Sequence, residues 1–323
     1  KGKNTIDMYD GDKIKMMLNT NTHDYIMFIT EKGNMFTTKT WDIPEKNKGK
    51  HINHIFESIS LDSENDKLVA MINVKDFAKE QYVVFVTQNG LIKRTSLENY
   101  KNAKAKSLTA VAIGDDDKVV NVLLCKEQDQ IMIVTNENIV NRFTVEDIRA
   151  VGRVASGVYG VKLSGNEKVI DALIIDVNNE DLIYVDEEVD NLVPDENGDV
   201  VIIGKKYRKD GTKTIQILKT DKIDENKYLL VIGENGVGKK IALSEFSLQK
   251  RKNKGVKLFK ESSKTGKLIK TSIVTNDNEL IITTEQKTMR IYVSDIPELS
   301  RHASGSYIMK TGNDKVVDIT VIW

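Results

Sequence analysis

Residues 229 to 246 read LLVIGENGVGKKIALSEF, in which Gly233, Gly238 and Lys239 complete most of a phosphate-binding loop after an apolar run. In such a loop glycines let backbone N–H groups cradle phosphates, the lysine reaches the outer phosphates, and a Ser or Thr hydroxyl holds magnesium. Lys240 stands where that hydroxyl is required. IALSEF then continues with the alternation of a strand, whereas the chemistry needs a helix N-terminus to receive the phosphates. A hairpin turn therefore ranks above a nucleotide site, and titration with nucleotide would separate the two.

The remaining residues with chemical potential are scattered. His51 and His54 are three apart in a strand-like run, which points them to opposite faces and makes a poor metal pair. His23 and His302 fall in loops with no cysteine cluster beside them. DENGDV, from Asp195, approaches a calcium loop, but Val200 replaces the required glycine and Lys206 the required glutamate. Cys125, the single cysteine, lies in the apolar run VVNVLLC and reads as a buried thiol in a reducing, cytoplasmic setting. Tyr25, Tyr82 and Tyr228 sit in strand-like runs and read as packing residues. No catalytic constellation, metal site or cofactor is expected in this chain. It has neither a spanning apolar stretch nor a signal segment, so no membrane association is expected, and its opening on KGK suggests a piece of a longer protein.

The elements that would position any site come from a repeat. One segment is written five times, beginning at Asp24, Gln81, Gln130, Tyr228 and Glu279, each as an apolar strand, a tight turn and a second strand with polar and basic residues. Gly33, Gly90, Asn138, Gly236 and Lys287 share the turn position, where a left-handed backbone suits Gly and Asn. A short, mostly Gly-led element follows each hairpin, as in KGKHINHIF, KSLTAVAI, SGVYGVKL, KGVKLFK and SGSYIMK, and KGKNTIDM at the start is a sixth copy. Another apolar run comes after each. Four strand-like pieces recurring about every 50 residues predict an all-β, propeller-like ring of six units, the first without its hairpin. Residues 1 to 323 read as one domain. The stretch from about 176 to 227 breaks the period and reads as an acidic insertion rather than a degenerate seventh unit.

Formal charge totals zero, with 48 basic and 48 acidic residues, but the balance is uneven. From Val169 to Gly204 there are eleven acids and no Lys or Arg, which leaves the rest of the chain with an excess of eleven positive charges. Basic residues recur at two places. In the second hairpin strand they are Lys93, Arg94, Arg142, Lys239, Lys240 and Arg290. Ahead of the Gly-led elements they are Lys46, Lys48, Lys50, Lys104, Lys106, Arg149, Arg153, Lys250, Arg251, Lys252, Lys254 and Arg301, with Lys257 following and Lys1 and Lys3 at the start. Single lysines of this kind commonly protect exposed strand edges. Recurrence around a ring would instead make a belt able to neutralise phosphates along a curved path. Few aromatics interleave with these residues, and no basic helix suits the major groove, so the expected partner is duplex DNA held by its backbone. A propeller-like scaffold that binds protein through the acidic insertion is the alternative from another class.

The ordered succession of NTHDYIMFITEKGNMF with DIPE, VFVTQNGLIKRTSL, GENGVGKKIALSEF with QKRKNKGVK, and VSDIPELSRHASG resembles the C-terminal domain of the bacterial DNA gyrase A subunit. The resemblance implies a six-bladed β-pinwheel that wraps DNA around a basic rim and supports ATP-dependent negative supercoiling. It also implies that ATP and magnesium are used elsewhere in the enzyme. The protein partners it implies are the gyrase B subunit, together with the N-terminal part of the A subunit, with this piece alone being monomeric. That family carries a basic box, Gln-Arg-Arg-Gly-Gly-Lys-Gly. Lys1 and Gly2 with Lys3 resemble its tail, and QKRKNKG at Gln249–Gly255 is a looser version with Lys252 and Asn253 in place of the paired glycines. The related domain of the topoisomerase IV A subunit is the nearest competitor.

Overall fold

In the first four repeats the first hairpin strand is apolar on both faces, and the computed structural model shows why: its two faces serve two different cores. The structure describes residues 16, 18–43, 65–77, 80–102, 108–177 and 226–322, and the strand backbones at 182–185, 200–207 and 213–219. Blade 1 pairs Tyr25–Thr30 with Asn34–Lys39 on one side and with the inner strand Leu68–Val74 on the other. Blade 2 repeats this with Tyr82–Thr87, Leu91–Ser96 and Val119–Cys125, and blade 3 with Gln130–Thr135, Ile139–Thr144 and Val169–Ile175. Blade 4 uses Tyr228–Gly233, Val237–Ala242 and Leu268–Val274, and blade 5 uses Glu279–Thr284, Thr288–Tyr292 and Val316–Ile322. Side chains alternate across a strand. Val83 and Phe85 therefore enter a core shared with blade 1, while Val84 and Val86 enter one shared with blade 3. Met132 and Val134 meet Leu229 and Val231, and Leu230 and Ile232 meet Leu280 and Ile282. Four hydrophobic cores thus lie between blades, and a fifth, of Ile26, Phe28, Phe36 and Leu68, lies on the far face of blade 1 with Met16 and Leu18 packed against it.

Two expectations are corrected. Five blades stand among the described residues, not six; the proposed first unit had no hairpin, and its KGKNTIDM element lies at residues outside the described ones. Nor do the four strand pieces of a repeat form one sheet. The short outer strand Leu108–Thr109 pairs with Asn34 and Met35 of blade 1, Val158–Tyr159 with blade 2, Val256–Lys257 with blade 3 and Ser306–Tyr307 with blade 4. Each repeat thus lends its outer strand to the preceding blade. A period in sequence gives the spacing of strands but not their partners.

Leu182–Val185, Lys213–Lys219 and Val200–Tyr207 form a separate three-stranded sheet, with Lys213–Lys219 in the middle. Val256–Lys257 follows this segment in the chain yet pairs with blade 3, so blade 4 succeeds blade 3 directly. The turn residues Gly33, Gly90, Asn138 and Gly236 have positive φ, as expected. At Gly236 the demand is doubled, because a Cβ there would lie 2.2 Å from the Met309 carbonyl oxygen. GENGVGKK is this hairpin turn.

The inner strands of all five blades surround a channel of about 450 Å³. Every inner strand carries a bulge next to its second residue. The third residues are Ala70, Asn121, Asp171, Lys270 and Asp318, all lining the channel. Asn121 Nδ2 donates to Asp171 at 3.2 Å, Thr271 donates its hydroxyl to Asp171 at 2.9 Å, and Lys270 pairs with Asp318 at 2.7 Å. These contacts stitch blade 2 to 3, 3 to 4 and 4 to 5. Burial pushes the Asp171 carboxyl above the usual carboxylate range, opposed by the Thr271 hydroxyl and the Lys270 charge. A carboxyl raised in the folded state contributes stability that is present below its unfolded value, about 3.9, and lost as pH rises through the folded value. Wild-type chain is therefore expected to lose stability with rising pH from about 4 upward through a component absent from Asp171→Asn, whatever the variant's offset. Denaturant unfolding of both at several pH values measures it, and parallel curves would refute the assignment.

Candidate nucleic-acid interface

The second hairpin strand carries adjacent basic residues that the alternation of a strand sends to opposite faces. Both faces are covered. Lys93, Arg94, Arg142, Lys239 and Lys240 are at most 5 % exposed, which corrects the expectation that they face outward on a rim. Lys239 Nζ donates to the carbonyls of Ser300, Arg301 and Ala303 at 2.8, 2.8 and 2.7 Å. Lys93 Nζ donates to Ala110 O at 3.2 Å and to Arg153 O. Arg142 Nη1 donates to the carbonyls of Leu243 and Phe246 at 2.8 and 2.9 Å, at the turn that ends the next hairpin. Lys240 does the same to Val293 O at 3.2 Å and reaches Asn276 Oδ1 at 2.6 Å. Arg94 lies 3.5 Å from Glu127 and over the Tyr82 ring. Burial lowers Lys93 and Lys239 to about 8, with Arg153 adding to the effect on Lys93 and Glu245 opposing it at Lys239. An ammonium group held this way by backbone carbonyls is not available to a phosphate.

Three of these buried cations, Lys93, Arg142 and Lys239, each hold a loop. Residues 148–157, 246–255 and 296–305 each run from the end of a hairpin back across the preceding blade to its outer edge. On this edge stand the basic residues that do face water: Arg149, Lys250, Lys252, Lys254 and Lys257 are exposed, and Arg153, Arg251 and Arg301 half-buried. Arg251 Nη1 donates to Tyr159 O at 2.5 Å, Lys257 Nζ to Glu137 O at 2.8 Å, and Arg301 N to Glu245 Oε2 at 2.9 Å. Arg290 is exposed but bonded to Glu279. Lys1, Lys3, Lys46, Lys48, Lys50, Lys104 and Lys106 lie outside the described residues, as do His51 and His54.

The outer strands add residues that sequence reasoning passed over. Tyr159 and Tyr307 take the same place in two outer strands and are 55 % and 56 % exposed. Lys252 Nζ lies 5.7 Å from the Tyr159 ring and Lys264 Nζ 5.6 Å from the Tyr307 ring. Lys257 holds the equivalent place on blade 3. Tyr159, Lys162, Leu163 and Lys252 help line a hollow of about 300 Å³ at this edge. The signal was present, since SGVYG and SGSYI place a tyrosine at one position of the Gly-led element. Exposed rings beside lysines can pack on sugars or bases while the ammonium groups meet phosphates. Among the described residues no cluster of His, Cys, Asp and Glu could hold a metal ion, and no helix is long and apolar enough to cross a membrane.

The family model described as DNA gyrase C-terminal domain, beta-propeller, matches residues 24–75, 81–126, 129–176, 227–275 and 278–322. The five matched segments coincide with the five repeats, each holding one blade's hairpin and inner strand, and omit the separate sheet. The DNA gyrase A subunit of Helicobacter pylori strain 26695 is 29% identical over 320 residues, covering 98% of this chain and 33% of that protein. Its counterpart from Staphylococcus epidermidis strain ATCC 12228 is 28% identical over 98% of this chain and 30% of its own length. The chain thus spans about a third of the curated relatives it matches. Among solved structures, a DNA gyrase A C-terminal domain superposes with a TM-score of 0.73 at 22% identity, over 100% of this chain and 90% of that one. The C-terminal domain of DNA topoisomerase IV gives 0.72 at 22% identity, over 98% and 84%.

Proposed function

This chain belongs to the DNA gyrase C-terminal domain, beta-propeller family, and we propose that it binds duplex DNA without sequence preference and wraps it around the outer edge of the ring. The observation that supports this most is the placement of Arg149, Lys250, Lys252, Lys254 and Lys257 in exposed loops and outer strands along the edges of successive blades. Buried Lys93 ties down the first of these loops through the Arg153 carbonyl and buried Arg142 the start of the second through the Phe246 carbonyl, as Lys239 does for the 296–305 loop that carries Arg301. Contacts of this kind release counterions from phosphates and carry no base information. Bending 20 to 30 base pairs by 40 to 90° costs about 1–6 kcal/mol, which the released counterions offset.

In this reading the chain is the C-terminal domain of a gyrase A subunit. It performs no bond chemistry itself. It would present a wrapped segment to the rest of the enzyme, where the N-terminal part of the A subunit cleaves DNA and the B subunit hydrolyses ATP with magnesium. Five blade-length matches to the gyrase family favour gyrase over topoisomerase IV. The domain boundary at 1 to 323, with the separate sheet as an insertion, belongs to the same proposal. Ligating nicked circular DNA in the presence of the chain tests it: trapped positive writhe is expected, and circles of unchanged linking number would leave only a protein-binding scaffold.

A further inference from the structure

The three edge loops are built to one pattern. The N–H groups of Val151, Gln249 and Leu299 donate to the carbonyls of Arg94, Arg142 and Lys240 at 2.9, 2.8 and 3.0 Å. Inside each loop a second bond follows: Ala155 N donates to Gly152 O, Asn253 N to Lys250 O, and Ala303 N to Ser300 O. Each loop ends on a glycine, Gly157, Gly255 or Gly305, set against the carbonyl of Ile92, Val140 or Gly238, where an added Cβ would lie 2.6, 2.5 or 2.8 Å from that oxygen. The strand residue beneath the loop, between these two anchors, is Lys93 in blade 2, Asn141 in blade 3 and Lys239 in blade 4.

Beneath the third loop, the Lys239 ammonium satisfies three carbonyls, those of Ser300, Arg301 and Ala303. By register the corresponding oxygens of the second loop are those of Lys250, Arg251 and Asn253. Asn141 is 1 % exposed, and neither its Nδ2 nor its Oδ1 has a hydrogen-bond partner. Its side chain is shorter than lysine and carries no positive charge. The place an ammonium group takes in blade 4 is thus held in blade 3 by a neutral amide whose own polar atoms are unsatisfied, and the loop above it keeps the same anchors while turning through a positive φ of 66° at Lys252. A buried polar group left this way costs about 1–3 kcal/mol.

We propose that a monovalent cation of potassium size binds beneath the Gln249–Gly255 loop, between Asn141 Oδ1 and the carbonyls of Lys250, Arg251 and Asn253. Potassium is close to ammonium in size, and neutral carbonyl oxygens replace its hydration shell well. Magnesium retains its waters, and calcium sites draw on carboxylates. The Asp147 carboxyl, raised by burial and held down by Thr144 and Arg251, takes the Arg251 backbone N–H at the same loop. Lys250, Lys252 and Lys254 point their side chains to solvent, so the bound ion would fix the backbone from which those lysines project.

The test compares this chain in potassium chloride and in choline chloride at equal ionic strength, by amide hydrogen exchange over Gln249–Lys254 and by thallium(I) soaking of crystals. At potassium ten times its Kd, exchange limited by opening of the site slows about tenfold, and thallium gives an anomalous peak within reach of Asn141 Oδ1. Asn141→Lys is expected to protect the loop equally in both salts and to abolish the peak. Asn141→Leu, which removes the side-chain oxygen and keeps the bulk, loses the potassium dependence without gaining protection. Equal exchange of the wild-type loop in the two salts, with no thallium peak, overturns the site and leaves water as the partner of Asn141. Because neither readout involves DNA, failure here is distinguishable from failure of the wrapping reading.

Discussion

Alanine at Lys250, Arg251, Lys252 and Lys254 together is expected to weaken binding to every duplex sequence alike and to flatten the dependence of affinity on salt. Each phosphate contact contributes about −0.9 to the slope of log K against log salt. Lys250, Lys252 and Lys254 are exposed, whereas Arg251 spends its guanidinium on the Tyr159 carbonyl. The slope should therefore fall by about three, with affinity lower by roughly 10²–10³ at 0.1 M salt. Fluorescence anisotropy over a salt series, on two duplexes of unrelated sequence, measures both quantities. Keeping Arg251 in a triple-alanine variant separates loss of charge from loss of the loop's tie to blade 2. A loss confined to one duplex would point to base recognition and contradict a backbone-held wrap.

The repeat was legible because it rests on physics that acts within a few residues. Apolar strands, a turn that requires positive φ at Gly33, Gly90, Asn138 and Gly236, and a following Gly-led element all write themselves locally. Which sheet a strand joins is decided at a distance, so the lending of Val158–Tyr159 to blade 2 and Val256–Lys257 to blade 3 was not legible. The same limit governs the charges. Lys239 and Lys250 look alike in sequence, yet one is sealed beneath a loop from the next repeat and the other stands on such a loop. A strand position with neighbours on both faces buries whatever it holds, and a lysine there persists because carbonyls receive its ammonium group. The exposed tyrosines were missed for the converse reason. Tyr159 follows a valine in a run that reads as core, but a two-residue outer strand has no further blade to pack against.

Lys239→Met offers the sharpest separation between holding the rim and touching DNA. Methionine keeps much of the apolar stem and removes the donor to three carbonyls. Each buried acceptor left without a partner costs about 1–3 kcal/mol. Ser300 is exposed and water can reach part of the loop, so a total loss of about 2–4 kcal/mol is expected rather than the full sum. Urea unfolding should show that loss, and hydrogen exchange should rise first in residues 298–305, the segment the ammonium ties down. The salt slope of DNA binding should stay near that of the wild type, because Lys239 is wholly buried and neutralises no phosphate. A surface contact would behave in the opposite way, with the slope smaller by about one and stability unchanged. That second outcome would remove the distinction between buried anchors and exposed contacts from which the rim is built.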